Sequence, residues 1–240
     1  MSAIPPLLLV GCGRMGGAML TGWREQGLSH SYAVDPAPGV ASFAGADMTV
    51  VADIAQVPAD FSPAAVVLAV KPQSANEALP AYARFAKGAV FLSIMAGRTI
   101  GGIDSLLGGG AAIVRAMPNT PAAVRQGVTV GCPSPAVSGA QRDLCDRLLR
   151  AIGAVAWMDD EGLLDPVTAV SGSGPAYVFL LAELMEAAAR EQGIPADLAR
   201  LLARQTVAGS GALLAASPED AAALRVAVTS PGGTTAEALK

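Results

Sequence analysis

The sequence predicts an α/β protein in which a doubly wound sheet is followed by an all-helical segment. Three observations predict it. Short apolar runs of strand length alternate with helix-compatible stretches from Leu7 to Met158, an order that calls for a sheet with helices on both faces. The run Leu7-Leu8-Leu9-Val10 leads into Gly11-Cys12-Gly13-Arg14-Met15-Gly16, a G-x-G-x-x-G spacing set directly between a strand and a helix. Beyond about residue 160 no strand signal remains, and apolar residues recur at helical spacing.

The first strand and its glycine loop organise the rest. Gly11 permits the tight turn, Gly13 lets the backbone approach a pyrophosphate, and Gly16 lets the helix predicted over Met15–Gln26 pack close to the strand. The phosphates of a dinucleotide would then lie on the unpaired N–H groups of Cys12 to Met15 at the helix start. The alternative is a glycine-rich turn without a ligand. Tyr32-Ala33-Val34-Asp35 as a second strand favours the nucleotide site, because Asp35 stands 24 residues after Gly11, where such a site places the acid for the adenosine ribose. An acid there repels a 2′-phosphate and so favours NAD over NADP, whereas Asp35 as a cap of the turn at Pro36 would say nothing about the cofactor. Both NADP and NAD stay open.

The remaining elements follow in order. Pro36 to Pro63 reads as loop-rich, with a short strand at Met48–Val51. Ala64–Val70 is an unbroken apolar run, suited to a parallel strand covered on both faces. A helix is expected over Gln73–Phe85, a strand over Ala89–Met95, a short helix over Thr99–Leu107 and a strand over Ala111–Met117. Gln126–Gly131 and Ala154–Met158 read as the last strands, with a helix over Ala136–Ala151 between them. Ligands of such sheets bind at the carboxyl ends of the strands. On that rule the glycine loop, Val70-Lys71-Pro72, Ala96-Gly97 and Met117–Thr120, including Asn119, converge on one crevice. Lys71 either adds positive charge there or is a solvent-exposed strand end. The later helices are expected over Pro175–Gln192, Pro195–Ala216 and Pro218–Val228, with a last one over Thr234–Lys240. The boundary belongs near residue 160, giving a dinucleotide-binding domain over 1–160 and a helical domain over 161–240.

Composition excludes several function classes. The 240 residues are 52% hydrophobic and 15% charged, and the net charge of −4 with scattered Lys and Arg offers no footprint for nucleic acid. The N-terminus has no basic region of a signal peptide. A membrane span needs about eighteen apolar residues in a row. The best uncharged stretch, Pro166–Ala182, is expected to be broken at Ser171-Gly172-Ser173-Gly174-Pro175, so a cytoplasmic protein with no membrane partner is expected. Cys12, Cys132 and Cys145 lack C-x-x-C pairing and His30 is the only histidine, which argues against a metal site and against Ser-His-Asp or Cys-His catalysis. The hard chemistry then falls to a bound cofactor. The apolar helices after Glu161 carry more Ala, Leu, Val and Met than a solvated bundle needs, either for a subunit interface or for a tightly packed monomer.

The block Leu224–Leu239, with Ser230-Pro231-Gly232-Gly233-Thr234-Thr235 at its centre, closely resembles the C-terminal signature of pyrroline-5-carboxylate reductases. Val70-Lys71-Pro72, Met117-Pro118-Asn119-Thr120-Pro121 and Ser171–Tyr177 resemble that family in the family's order, so the resemblance covers essentially the whole chain. It implies a Rossmann-type domain joined to an all-α dimerisation domain. It also implies reduction of the cyclic imine Δ1-pyrroline-5-carboxylate to L-proline by NADPH or NADH, the last step of proline biosynthesis, in a homodimer often built up into a decamer. Family members usually continue for a further helical hairpin after the S-P-G-G-x-T block, so the C-terminal end, stopping at Lys240, is expected to be incomplete.

The residues of that block suit the implied chemistry. Gly232-Gly233 before a helix start presents unpaired N–H groups to a small carboxylate, and the hydroxyls of Ser230, Thr234 and Thr235 add directed donors. Without the resemblance, a plain inter-helix turn capped by Ser or Thr would fit as well. By resemblance, Thr235 matches the threonine whose hydroxyl contacts the ring nitrogen, and the backbone of Gly233 to Thr235 holds the carboxylate. Glu183 and Glu186 read as helix-surface residues. A related two-domain imine or β-hydroxyacid reductase is the second reading. The β-hydroxyacid enzymes commonly use a lysine in the first helix of the second domain, and Glu183 to Arg190 contains none. A nucleotide-sensing protein without turnover is the third, and the intact Ser230–Thr235 loop argues against it.

Overall fold

Strand β1 (Leu7–Val10) is fully covered, with Leu7 and Leu9 turned into one apolar cluster and Leu8 and Val10 into another. That alternation is the two-faced burial a doubly wound sheet requires. In the computed structural model, which describes residues 3–239, the chain forms two compact units, one extending through Pro175 and one beginning at Ala176.

The first unit is built on an eight-stranded sheet of order β3-β2-β1-β4-β5-β6-β7-β8. After β1 come α1 (Arg14–Glu25), β2 (Ser31–Val34), β3 (Met48–Val51) and β4 (Ala65–Leu68). Strands β1 to β6 run parallel, through β5 (Val90–Ser93) and β6 (Ile113–Met117). Helix α1 and α4 (Gly139–Arg150) cover one face, where the buried Trp23 indole donates to the Leu148 carbonyl at 2.9 Å. The other face is covered by Leu79, Tyr82 and Phe85 and by Ile103 of α3 (Ile100–Leu106), which is capped by the Thr99 hydroxyl.

Two expectations are corrected here, and the direction of the last strands is added to them. The helix expected over Gln73–Phe85 is instead a 3₁₀ turn at Pro72–Ser74, a single helical turn α2 (Ala75–Ala78) and a 3₁₀ stretch over Leu79–Phe85. Pro80 lacks the N–H that a continuing α-helix would use there. The sheet is also not parallel throughout. Strand β7 (Gly127–Pro133) runs antiparallel to β6, and β8 (Gly153–Trp157) runs parallel to β7. The connection from β6 is a tight turn at Thr120–Val124 that closes on Arg125 at φ 59°, too short for a crossover helix.

The second correction concerns Ser171–Pro175, which does not break the helical run. A 3₁₀ turn (Glu161–Leu163) and α5 (Leu164–Val167) lead into a π-turn at Thr168–Gly172, where the Ser173 N–H donates to the Thr168 carbonyl at 2.9 Å. The chain then continues as α6 (Gly174–Glu191). Glu161–Glu191 is consequently long and apolar enough, by length and composition, to cross a membrane. No strand follows β8 among the described residues, but the first unit keeps residues 161–175. The reason is local. Buried Arg115 on β6 donates to Glu161 at 3.0 Å and to Asp165 at 3.4 Å, Glu161 also accepts from the Ile100 N–H, and Leu164 is buried.

The second unit holds most of α6, with α7 (Ala196–Ala216), α8 (Ala221–Ala227) and α9 (Thr234–Ala238). Lys240, where the last helix was expected to end, lies outside the described residues. The apolar side chains of the second unit are mostly open among the described residues. Leu180, Leu181 and Leu184 of α6 and Leu201, Leu213 and Leu214 of α7 are each about half exposed or more, while on α7 only Ala199 and Ala203 are buried.

Candidate functional site

The carboxyl ends of β1, β2, β3 and β4 surround a cavity of about 470 Å³ lined by Val10, Val34, Pro36, Asp53, Val70 and Tyr82 among others. The ladder fixes these ends in register. Gly11 donates from its N–H to the Val34 carbonyl, Asp35 to Val51 and Ala69 to Val10, all within 3.0 Å. Gly11 adopts φ +95°, open to glycine, and a Cβ there would lie 2.8 Å from the Ala69 carbonyl oxygen. A Cβ on Gly16 would lie 2.2 Å from the Gly11 carbonyl oxygen, so α1 reaches the strand end only because Gly16 has no side chain. Gly13 differs from both. Nothing lies within 4 Å of the position its Cβ would take. The loop is thus closed by backbone behind and open in front of Gly13, the cradle that a pyrophosphate needs at a helix N-terminus, and the residues present fit a dinucleotide.

Asp35 caps the turn, one of the two roles that the sequence left open, and also reaches into the glycine loop. Its Oδ2 accepts from the Cys12 N–H at 2.7 Å, inside the glycine loop, and its Oδ1 accepts from the Ala37 N–H at 2.9 Å, capping the turn. Cys12 is buried, and burial, with the Asp35 charge second, pushes its thiol up to about 11. Burial pushes Cys145 up to about 12. Both thiols are therefore neutral at about pH 8, where alkylation needs the thiolate. The folded protein is expected to leave Cys12 and Cys145 unlabelled by iodoacetamide at that pH and to label both after denaturation. Rapid labelling of Cys12 in the folded chain would contradict the closed loop described here.

The other residues expected at the crevice divide by use. Arg14 is exposed at the start of α1 and lines a second cavity of about 460 Å³ with Gly13, Gly39 and Phe43, while Met15 packs partly against the core. Val70 lines the first cavity, Lys71 is exposed ahead of the turn at Pro72, and Ala96-Gly97 form the turn after β5. Arg98, not singled out in the sequence, ties two of these loops together. Its guanidinium donates twice to the Pro72 carbonyl, at 2.9 and 2.6 Å, and once to Asn76 at 2.9 Å. Its place directly after Ala96-Gly97 was the available signal. Asn119 follows β6 as expected, but its amide donates to the Ser171 carbonyl at 3.0 Å and accepts from Val128 at 2.9 Å, so the side chain largely serves the fold. Asp53, Glu77 and Tyr82 also line the cavity and were missed. The rule that ligands bind at strand ends, applied to β3, would have found Asp53.

In the second unit, Gly232 adopts φ +72° and Gly233 precedes α9 as its cap residue. Thr234 and Thr235 are exposed, and among the described residues neither hydroxyl makes a hydrogen bond within the chain. Glu183 and Glu186 line a cavity of about 620 Å³ between α6 and α7, with Arg200 and Arg204.

Comparison with known proteins gives a consistent picture. A family model described as pyrroline-5-carboxylate reductase dimerisation matches residues 161–240, and one described as NADP oxidoreductase, coenzyme F420-dependent, matches residues 7–97. The pyrroline-5-carboxylate reductase of Pseudomonas aeruginosa is 39% identical over 98% of this chain and 88% of its own length. The structure of a pyrroline-5-carboxylate reductase from Coxiella burnetii superposes with a TM-score of 0.89 at 31% identity, covering 98% of this chain and 89% of that one. The Plasmodium falciparum pyrroline carboxylate reductase, solved with NADP bound, has a TM-score of 0.80 at 27% identity, covering 98% and 88%.

Proposed function

This chain belongs to the pyrroline-5-carboxylate reductase family, and from that premise we propose how its own residues perform the reaction. It is an NAD(P)-dependent oxidoreductase that reduces the cyclic imine Δ1-pyrroline-5-carboxylate to L-proline. When bound, the reduced nicotinamide supplies a hydride.

The glycine loop Gly11–Gly16 holds the pyrophosphate, Asp35 the adenosine ribose, and the turns at Val70-Lys71-Pro72 and Ala96-Gly97 the remainder of the nucleotide. The remaining amide hydrogen of Asn119 is available to it as well. The Ser230–Thr235 loop holds the substrate. Backbone N–H groups of Gly233 to Thr235 bind its carboxylate, and the Thr235 hydroxyl meets the ring nitrogen. The observation that carries this reading is the exposed loop itself, whose two threonine hydroxyls have no use inside the chain among the described residues.

Hydride addition to the imine carbon is easiest when the ring nitrogen already carries a proton, since the C=N electron pair then becomes the lone pair of a neutral amine. No strong acid is needed, so binding and orientation, with water excluded, are the main contributions of the protein. The test is loss of reduced nicotinamide on adding the imine, with proline identified as product. A folded protein that oxidises neither NADH nor NADPH above the blank would sink the proposal.

We also propose that residues 161–240 act as the substrate-binding and dimerisation domain of a cytoplasmic homodimer, or of a decamer built from it. The open Leu and Val side chains of α6 and α7 support an interface between copies, and the glutamates within the apolar stretch of α6 favour protein over lipid as its cover. Sedimentation in detergent-free buffer at assay concentration is expected to give a dimer or larger. A monomer with full activity would refute it.

A further inference from the structure

We infer that this chain selects NADH over NADPH and that Asp35 sets the selection. The inference rests on the proposed reading of the crevice as the nucleotide site and adds which of the two nucleotides it accepts.

Asp35 stands one residue beyond β2, and its carboxylate is held from two sides, by the Cys12 N–H at 2.7 Å and the Ala37 N–H at 2.9 Å. Each oxygen keeps acceptor capacity after one such bond, which suits the hydroxyl pair of an unmodified ribose. A 2′-phosphate brings negative charge to the same place and no proton to donate. A site for that phosphate would need cations, and the strands and connections that carry Asp35 supply none. No Lys, Arg or His occurs between His30 and Lys71, the whole span that forms β2, β3, β4 and their connections. The charged residues lining the cavity at these strand ends are Asp53 and Glu77.

The cations nearest in the chain are otherwise placed. Arg24 pairs with Asp47 at 2.9 Å, and Arg98 is committed to Pro72 and Asn76. Arg14 opens α1 and lines the second cavity with Cys12 and Gly13 and with Gly39, Val40 and Phe43 from the stretch after Asp35, so it is the cation whose removal the test must include. Lys71 is exposed three residues beyond β4, ahead of the turn at Pro72.

The test is titration calorimetry of the full chain with NADH and with NADPH, without imine, beside steady-state turnover with each. NADH is expected to bind at least about tenfold more tightly, the scale of one like-charge contact near a protein surface. Asp35→Asn keeps an acceptor for the Cys12 N–H and removes the charge, so the gap should shrink severalfold, chiefly through tighter NADPH. Asp35→Ser serves as a second variant, and thermal melts establish that both are folded. Equal or tighter NADPH binding by the wild type overturns the inference, as does a ratio unchanged in both variants. Arg14→Ala and Lys71→Ala should affect the two nucleotides alike, and a loss confined to NADPH in either would show that a cation offsets Asp35 and would also overturn it. If neither nucleotide supports imine reduction while the binding gap persists, the proposed reaction fails and this inference stands.

Discussion

Gly16→Ala is expected to destabilise the first unit by about 3 kcal/mol and to abolish nucleotide binding, whereas Gly13→Ala should lose the nucleotide and keep the fold. The new methyl group on residue 16 would sit 2.2 Å from the Gly11 carbonyl oxygen, which is itself backbone pinned by the Gly11 N–H bond to Val34. Neither partner is a flexible side chain that can rotate away, so α1 must shift off the strand end. Overpacking of this kind costs about 1–3 kcal/mol in ordinary cores, and a contact with fixed backbone belongs at the upper end. Residue 13 is the contrasting case. Its added methyl group meets nothing within 4 Å, so stability should move by less than about 1 kcal/mol, the scale of a changed cap residue. The methyl would instead fill the space proposed for the pyrophosphate, and affinity should fall by about tenfold or more, roughly 1.4 kcal/mol or more. Urea midpoints and nucleotide titrations on both variants check the pair. A Gly13→Ala protein with unchanged nicotinamide affinity would refute the placement of the phosphates.

Thr235→Val is the second large effect. The substitution keeps shape and β-branching, and Thr235 is exposed with no side-chain hydrogen bond among the described residues, so folding should be unaffected. What is lost is one hydrogen bond to the imine or the product amine. A bond with a charged partner contributes roughly 1.5–3 kcal/mol, which translates into a fall in kcat/KM of roughly ten- to 150-fold. NAD(P)H affinity should hardly change. Thr234→Val is the control and is expected to be milder. Wild-type kcat/KM in Thr235→Val, or a larger loss in Thr234→Val, would show that the roles within this loop are wrongly assigned even though the family is right.

Much of the first unit was legible because its signals are local. Leu7–Val10 and Ala65–Leu68 are apolar without interruption, and the glycine loop carries its own geometry in the spacing of three residues without side chains. Ser138 and Gln141 form a capping box that sets the start of α4 three residues after the expected Ala136. What stayed hidden depends on unusual backbone geometry or on contacts far apart in sequence. The direction of β7 is decided by a turn ending on a left-handed Arg125, a conformation that no residue-type rule would assign to arginine. The π-turn at Thr168–Gly172 is held by Asn119 from 52 positions away, so Ser171-Gly172-Ser173-Gly174 looked like a break and is a continuation. Arg98 is fixed by Pro72 and Asn76, partners that only the folded chain brings near, whereas Asp53 stands just after β3 and was within reach of the strand-end rule. At the substrate loop the residue types were suggestive, but a capped turn looks the same in sequence, and the family resemblance made the difference.

The open flanks of α6 and α7 have a thermodynamic meaning as well as a geometric one. Apolar surface contributes about 25 cal/mol for each Å² taken out of water. For Leu180, Leu184, Leu201 and Leu213, each more than half exposed, most of that contribution is not collected within a single chain. In the proposed dimer it enters only on association, by mass action, so a large part of the second unit's stability does not belong to one chain alone. Its thermal midpoint should climb with protein concentration and fall on dilution, and a substitution on these helices that touches no reacting atom can abolish turnover in a dilute assay while leaving a concentrated sample fully active.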